Sequence, residues 1–249
     1  MVAAGSSVPM RVPGSRWGLL PKAASWLLVA FFAIRYTGGL YAWVTENRLE
    51  QPAYTVVRRL GHGVELRRYE AYNVAEATMK ASLKEAASGG FRLCAGYLFG
   101  KNVPRERAGF LRPPPPEDVP GETMDMTAPV RQALAPSRGA RTVKVSFVMS
   151  RKRPLGSLPV PRSAKVHLRT VPAHYAALVR FSGPPPTDDV VAKQEAVVRK
   201  AIEATGGAVR PVGKETLVLG YHDPFLVPNL LRRNEVGLMV TVAPDTLRE

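Results

Sequence analysis

The sequence predicts an α+β domain built from two similar units, standing behind an N-terminal apolar helix. Three observations predict it. Short β-branched and aromatic runs alternate with two stretches at helical spacing. The segment 64–77 matches the segment 166–179 at an offset of 102. The first acidic residue is Glu46, which follows an apolar run from Ala23 to Val44.

The N-terminal segment comes first. Arg11, Arg16 and Lys22 precede the apolar run, Trp26 stands near one end of it, and Tyr41 and Trp43 stand near the other. A helix of about 20 apolar residues crosses a bilayer, and Trp and Tyr favour its interfaces. Arg35 interrupts the run after Ile34, at a cost of roughly 2.5–3.5 kcal/mol near the bilayer centre. The first reading is a single membrane anchor over 23–44, with the basic tail 1–22 on the cytosol-like side. The second is a transit peptide, cleaved in a plastid or mitochondrion, because the segment is basic, contains Ser and lacks acids. The third is a secretory signal. In none of them does the segment belong to the folded domain.

The domain is expected over 52–242. "YTVVRRL" and "VELRRY" read as two strands joined by a turn at Gly61-His62-Gly63. A helix is expected from about Met79 to Phe99, stopped by Gly100. "RPPPPEDVPGE" (112–122) is too rich in proline for helix or sheet. It reads as part of a loop insertion over 103–125, either a tolerated surface loop or a docking site for a proline-binding partner. "TVKVSFVMS" alternates, placing Val143, Val145, Phe147 and Met149 on one face. A second helix is expected from Asp188 to Thr205, with Thr187 in front and Gly206-Gly207 behind. "TLVLGY" (216–221) and "EVGLMVTV" (235–242) are the closing strands. In the internal match, Val64, Leu66, Arg67, Ala71 and Ala75 correspond to Val166, Leu168, Arg169, Ala173 and Ala177. Two strand–strand–helix–strand–strand repeats, about 52–150 and 160–242, would share one core with the helices outside.

Composition narrows the chemistry. The net charge of +15 favours anionic partners or a solvated basic surface. One cysteine, Cys94, excludes an intrachain disulfide and a cysteine-based zinc site. It lies in an apolar helical stretch, where a buried inert thiol is expected. Four scattered histidines lack metal-ligand spacing. "GYLFGKN" fails as a phosphate loop, because its glycines are too close and Asn102 stands where Ser or Thr is needed. No nucleophile elbow, H-E-x-x-H or C-x-x-C string occurs, so no enzyme is expected. The basic clusters Arg58-Arg59, Arg67-Arg68, Arg151-Lys152-Arg153 and Arg232-Arg233 carry no aromatic stacking motif. On a strand, Arg67 and Arg68 face opposite sides, so no nucleic-acid stripe forms.

Together, "VELRRYEAYNVAEAT", "FRLCAGYLFGKN", "MTAPV", "VRFSG" and "YHDPFLVPNLLRRNEV", in that order, resemble the SOUL heme-binding protein family. The resemblance covers roughly residues 52–242. It implies a distorted antiparallel β-barrel made from two repeats, each with one long helix. It implies non-covalent, non-enzymatic binding of heme or another tetrapyrrole in an apolar cleft beside the first helix. On that helix Phe91, Ala95 and Leu98 are the candidate apolar wall, with Arg92, Lys80 and Lys84 near them for the propionates; packing on the sheet is the bland alternative. Arg68 stands where some members carry a histidine, and it cannot ligate iron because it stays protonated. Cys94 stands where leucine is usual, with a thiolate ligand as a remote option. The signature residues Met126, Thr127, Pro129, Arg232, Arg233, Asn234 and Glu235 read as structural. Arg232 and Arg233 would pair with Glu235 or cap open carbonyls, as a clasp. The competing function is a membrane-anchored scaffold for a protein partner, with incidental heme affinity.

Overall fold

The computed structural model describes residues 22–108, 120–136 and 141–244. The basic tail up to residue 21 and the proline-dense stretch 109–119 lie outside the described residues. The first element is the apolar helix α1 (Lys22–Glu46), which continues past Arg35 to the first acid. Then follow β1 (Tyr54–Arg59), β2 (Val64–Tyr69), β3 (Tyr72–Lys80) and the long helix α2 (Leu83–Leu98). The short β4 (Asn102–Val103) and α3 (Arg105–Ala108) lead toward β5 (Val130–Leu134) and β6 (Thr142–Val148). Next come the turn η1 (Leu155–Ser157), β7 (Val160–Pro161), β8 (Val166–Val171), β9 (His174–Phe181), the helix α4 (Asp188–Glu203), β10 (Val209–Gly220) and β11 (Asn234–Val242).

The fold is a mixed α+β one with a large antiparallel sheet, ordered β1-β2-β9-β11-β10-β5-β6-β3-β8. Two connections decide its shape. Only Glu70 and Ala71 separate β2 from β3, and only Pro172 and Ala173 separate β8 from β9. Each pair of strands stands six places apart in the sheet. In a flat sheet that is roughly 29 Å, yet so short a connection spans about 10 Å. The sheet must therefore curl until its ends meet. Tyr69, Tyr72 and His174 gather where they do: the Tyr69 ring stacks on His174 at 5.3 Å and meets Tyr72 at 6.5 Å. No ladder joins β1 to β8, so the closed barrel implied by the family resemblance is corrected to an open, curled sheet. Two-residue connections bring the ends together through side chains without aligning their backbones for hydrogen bonding.

Alternation along each strand sends side chains to two faces. The outer face is covered by the helices. Under α4 lie Val64, Leu66, Val179, Val236 and Leu238, and under α2 lie Ala75, Ala77, Phe147 and Met149. The inner face packs on itself through Tyr69, Tyr72, Val74, Ala133, Val148, Leu178, Leu217 and Leu219.

Local chemistry sets the helix ends. The helix expected from Met79 begins instead at Leu83, because Met79 and Lys80 are still paired with Val143 and Thr142 on β6. Ser82 and Glu85 form a reciprocal capping box that marks the start. Gly100, at φ 104°, follows its end. Thr187 takes the expected N-cap position of α4 without a side-chain cap bond; Asp188 and Asp189 lie in the first turn, where they complement the helix dipole. The turn at Gly61-His62-Gly63 has three successive positive φ angles, of 68°, 50° and 74°.

Gly90 lets α2 approach β6. A Cβ there would sit 2.5 Å from Val145 Cγ2, and Val145 is fully buried. Helix propensity alone favours Gly90→Ala by about 1 kcal/mol, whereas overpacking costs about 1–3 kcal/mol. The expected outcome is a net loss, read as a lower urea midpoint with an unchanged slope. A raised midpoint would show that α2 can lift off the sheet cheaply.

Candidate functional site

The solvent side of α2 is the site that the sequence points to. Phe91 is 40% exposed with its ring edge-on to Phe147 at 5.1 Å, and Ala95 is half-buried one turn further on. Arg92 and Lys84 are exposed on the same helix. Leu98 is not part of this surface. It is 2% exposed and packs with Cys94 and Tyr97 against the sheet. Its place in the stripe is taken by Phe99, which is 55% exposed. Phe99 lies four residues after Ala95, so helical spacing could have found it. The stripe Phe91–Ala95–Phe99 is thus a shallow apolar strip with a small residue at its centre and cations beside it.

The signature near the C-terminus divides its labour. Glu235, on β11, is fully buried on the inner face. Arg67 on β2 donates to it twice, from Nη1 at 2.8 Å and Nη2 at 3.0 Å. Tyr221 Oη donates at 2.9 Å and Arg233 Nε at 2.9 Å. The Arg233 guanidinium also lies 3.8 Å over the Tyr221 ring. Burial alone would push the Glu235 carboxyl up, but Arg67 and Arg233 outweigh it and hold the group below its ordinary 4.5. Arg232 does something else: its Nε donates to the Val227 carbonyl at 2.7 Å and its Nη2 to the Pro224 carbonyl. Asn234 donates to the Gly183 carbonyl at 3.1 Å, holding the chain between β9 and α4. Thr127 Oγ1 donates to the Val148 carbonyl at 2.5 Å, Met126 packs against the α2 core, and Pro129 follows a cis peptide bond at the rim of the inner face.

A second buried carboxylate, Glu76 on β3, accepts from Arg169 Nε at 3.0 Å and Ser146 Oγ at 2.9 Å. Arg131 Nη1 lies 3.8 Å away. Between the two ionic clusters lies a cavity lined by Tyr69, Tyr72, Arg131, His174, Leu217 and Leu219. It offers 20 Å³ to the centre of a water molecule, room for about one water and none for a tetrapyrrole. A larger groove, 380 Å³ on the same measure, runs between α4 and the β5–β10 pair. Its walls are already paired, Arg141 with Asp188 and Thr216 with Glu195, so it is no flat apolar slot.

Cys94 is buried, its thiol donates to the Ala75 carbonyl, and burial pushes it up to about 12. The thiolate option is therefore corrected: this sulfur stays protonated in the core. Arg68 is exposed. His174 is stacked on Tyr69, and His222 Nδ1 accepts from the Arg233 amide at 2.9 Å. Among the described residues no group of three His, Cys, Asp or Glu could hold a metal ion.

The domain is thus an open antiparallel sheet curled between two outer helices, with buried arginine–carboxylate clusters on its inner face. The chain belongs to the SOUL heme-binding protein family, whose profile matches residues 49–239. That membership suggests binding of heme or a tetrapyrrole by a family that is generally non-enzymatic. No curated protein matches the chain in sequence. Solved structures are similar to the chain. An uncharacterized conserved protein from Listeria innocua is 11% identical, with TM-score 0.50, covering 72% of this chain and 92% of its own. A hydrolase from Listeria innocua is 12% identical, with TM-score 0.46, covering 72% and 91%.

Glu235→Ala takes from the buried Arg67 its bidentate partner and leaves it Glu65 and Tyr69; breaking such a buried pair costs up to about 3–5 kcal/mol. The melting temperature is expected to fall well before hemin affinity changes; lost binding at an unchanged melting temperature would reverse the structural assignment. The carboxyl is held below 4.5 in the folded chain, so its contribution is present above that pH and is lost as pH falls through the folded value. Acid melting curves should therefore be steeper for the parent chain than for Glu235→Gln.

Proposed function

We propose that this protein is a membrane-anchored SOUL-type domain that binds heme or a related tetrapyrrole non-covalently, for carriage, buffering or signalling. The family match over 49–239 carries the reading. The α2 strip is the proposed contact, with Phe91 and Phe99 as apolar walls, Ala95 leaving room between them, and Arg92 and Lys84 facing the propionates. The residues present suit the flat apolar body and the carboxylates of such a ligand. None of them is an iron ligand, so packing and charge hold it. When bound, heme would supply a redox-active iron.

Anchoring rests on α1. Its stretch Ser25–Glu46 is long and apolar enough to cross a membrane. A signal or transit sequence passes the same test. Retention is favoured because α1 is tied to the domain: Glu46 accepts from the Asp223 amide at 2.9 Å, and Gly39 is buried against Pro228. We also propose that the domain arose by duplication of the units 52–150 and 160–242. In support, β2-β3-α2-β5-β6 and β8-β9-α4-β10-β11 follow one order. The matched arginines Arg67 and Arg169 each grip a buried glutamate.

A second reading is favoured by Arg68 and by the want of an iron ligand on the strip. In it, the domain is a membrane-anchored scaffold for a protein partner, and heme affinity is incidental.

Hemin titration of the full chain in nanodiscs separates the two. The tetrapyrrole reading expects a saturable one-to-one Soret shift. Phe91→Asp and Phe99→Asp should each weaken it by about tenfold or more, as loss of roughly 1.5–3 kcal/mol implies. Leu98→Ala should lower the melting temperature instead. A weak shift that survives both aspartates and is shared by an unrelated basic protein would leave the scaffold.

A further inference from the structure

The loop between β10 and β11 exposes a cluster of large apolar side chains. Phe225 is 80% exposed, Leu226 55% and Leu230 84%. Such residues commonly cluster on a surface that meets another apolar phase. The loop is nevertheless rigidly held. Asp223 Oδ1 accepts from the amides of Phe225 at 2.7 Å and Leu226 at 2.8 Å. Arg232 clamps the Val227 and Pro224 carbonyls, and Val227 is fully buried beneath. The amides of Val227, Leu231 and Arg232 donate to the carbonyls of Asp223, Pro228 and Asn229, and Pro224 and Pro228 have no amide hydrogen. An irregular segment entering a low-dielectric phase must satisfy its backbone internally, and this one nearly does.

Its place relative to α1 identifies that phase. The loop lies against Gly39, where an added Cβ would stand 2.7 Å from Pro228 Cδ and 2.9 Å from the Leu226 carbonyl. Gly39 lies seven residues before the helix end at Glu46, about 10 Å along the axis at about 1.5 Å per residue. At that level α1 exposes Tyr36, Leu40 and Tyr41. Just beyond the helix end come the exposed Arg48 and, bonded to Glu50, Arg151, charged groups that mark where α1 leaves the apolar phase. The apolar surface of α1 thus continues onto the loop, at the depth of a headgroup–acyl boundary.

We propose that residues 223–231 form a second membrane-contacting element. Phe225, Leu226 and Leu230 insert into the bilayer interface beside α1 and fix the orientation of the domain against the membrane. The proposal rests on the anchor reading of α1, and the experiment separates the two. The full chain is placed in nanodiscs with an environment-sensitive nitrobenzoxadiazole label on Leu230→Cys, on Leu40→Cys in α1, or on Val212→Cys, an exposed position in β10. Cys94 is buried, and labelling of the parent chain measures its background. The expected result is blue-shifted emission at positions 230 and 40, quenched by nitroxide-bearing lipid, with water-like emission at 212. Water-like emission at 230 with lipid-like emission at 40 overturns the loop insertion and leaves the anchor standing. Water-like emission at 40 overturns both. A blue shift at 230 without lipid quenching also overturns it, and assigns the cluster to a protein contact.

Discussion

Two connections of two residues each govern this molecule. Glu70-Ala71 and Pro172-Ala173 tie together strands that stand six places apart in the sheet order. Chain length alone then forbids a flat sheet. The curl divides the core into an outer layer beneath α2 and α4 and an inner layer packed on itself. Once the sheet is curled, the inner face has little solvent left, and whatever polar groups it holds must find partners there.

That is where the two carboxylates stand. Glu235 and Glu76 are both buried on the inner face, and each is gripped by an arginine from an outlying strand, Arg67 on β2 and Arg169 on β8. Buried ion pairs contribute little net stability against apolar replacements. What they do here is specify geometry. A register slip of one residue on β2 would turn Arg67 outward and strand Glu235 without its main partner. Tyr54, Tyr69 and Tyr221 surround the pair with rings and hydroxyls, Arg67 lying 4.6 Å over Tyr54. The inner face is thereby filled, and the room for one water that remains directs attention to the outside of the fold.

Outside, two apolar surfaces stand apart from the core. One is the strip on α2, bordered by cations. The other joins α1 to the rigid loop before β11. Both belong to elements whose opposite sides are firmly packed: Cys94, Tyr97 and Leu98 under the first, Val227 under the second. Rigid support of an exposed apolar group keeps the ordering cost of binding low. The same signature string serves both ends of this design. Arg233 and Glu235 close the inner network, while Arg232, one residue earlier, braces the loop.

Much was legible in the sequence. Periodicity located both long helices and the strands at 54–59, 64–69, 142–148 and 234–242, and glycines marked their turns. The opposed directions of Arg67 and Arg68 follow from a period of two and hold, one buried and the other exposed. The inertness of Cys94 followed from its apolar neighbours. The start of α2 was missed because Met79 and Lys80 suit a helix and a strand alike, and pairing with β6 decided between them. Leu98 was misplaced and Phe99 overlooked because both stand near helical spacing from Phe91. Which one faces the sheet depends on the angle at which α2 lies, and a close approach at Gly90 sets that. Spacing along the chain determined which residues share an element and a face. The tertiary structure alone decided which face is covered, which strands meet, and which glutamate each arginine holds, because those depend on contacts between segments whose separation in sequence carries no periodic signal.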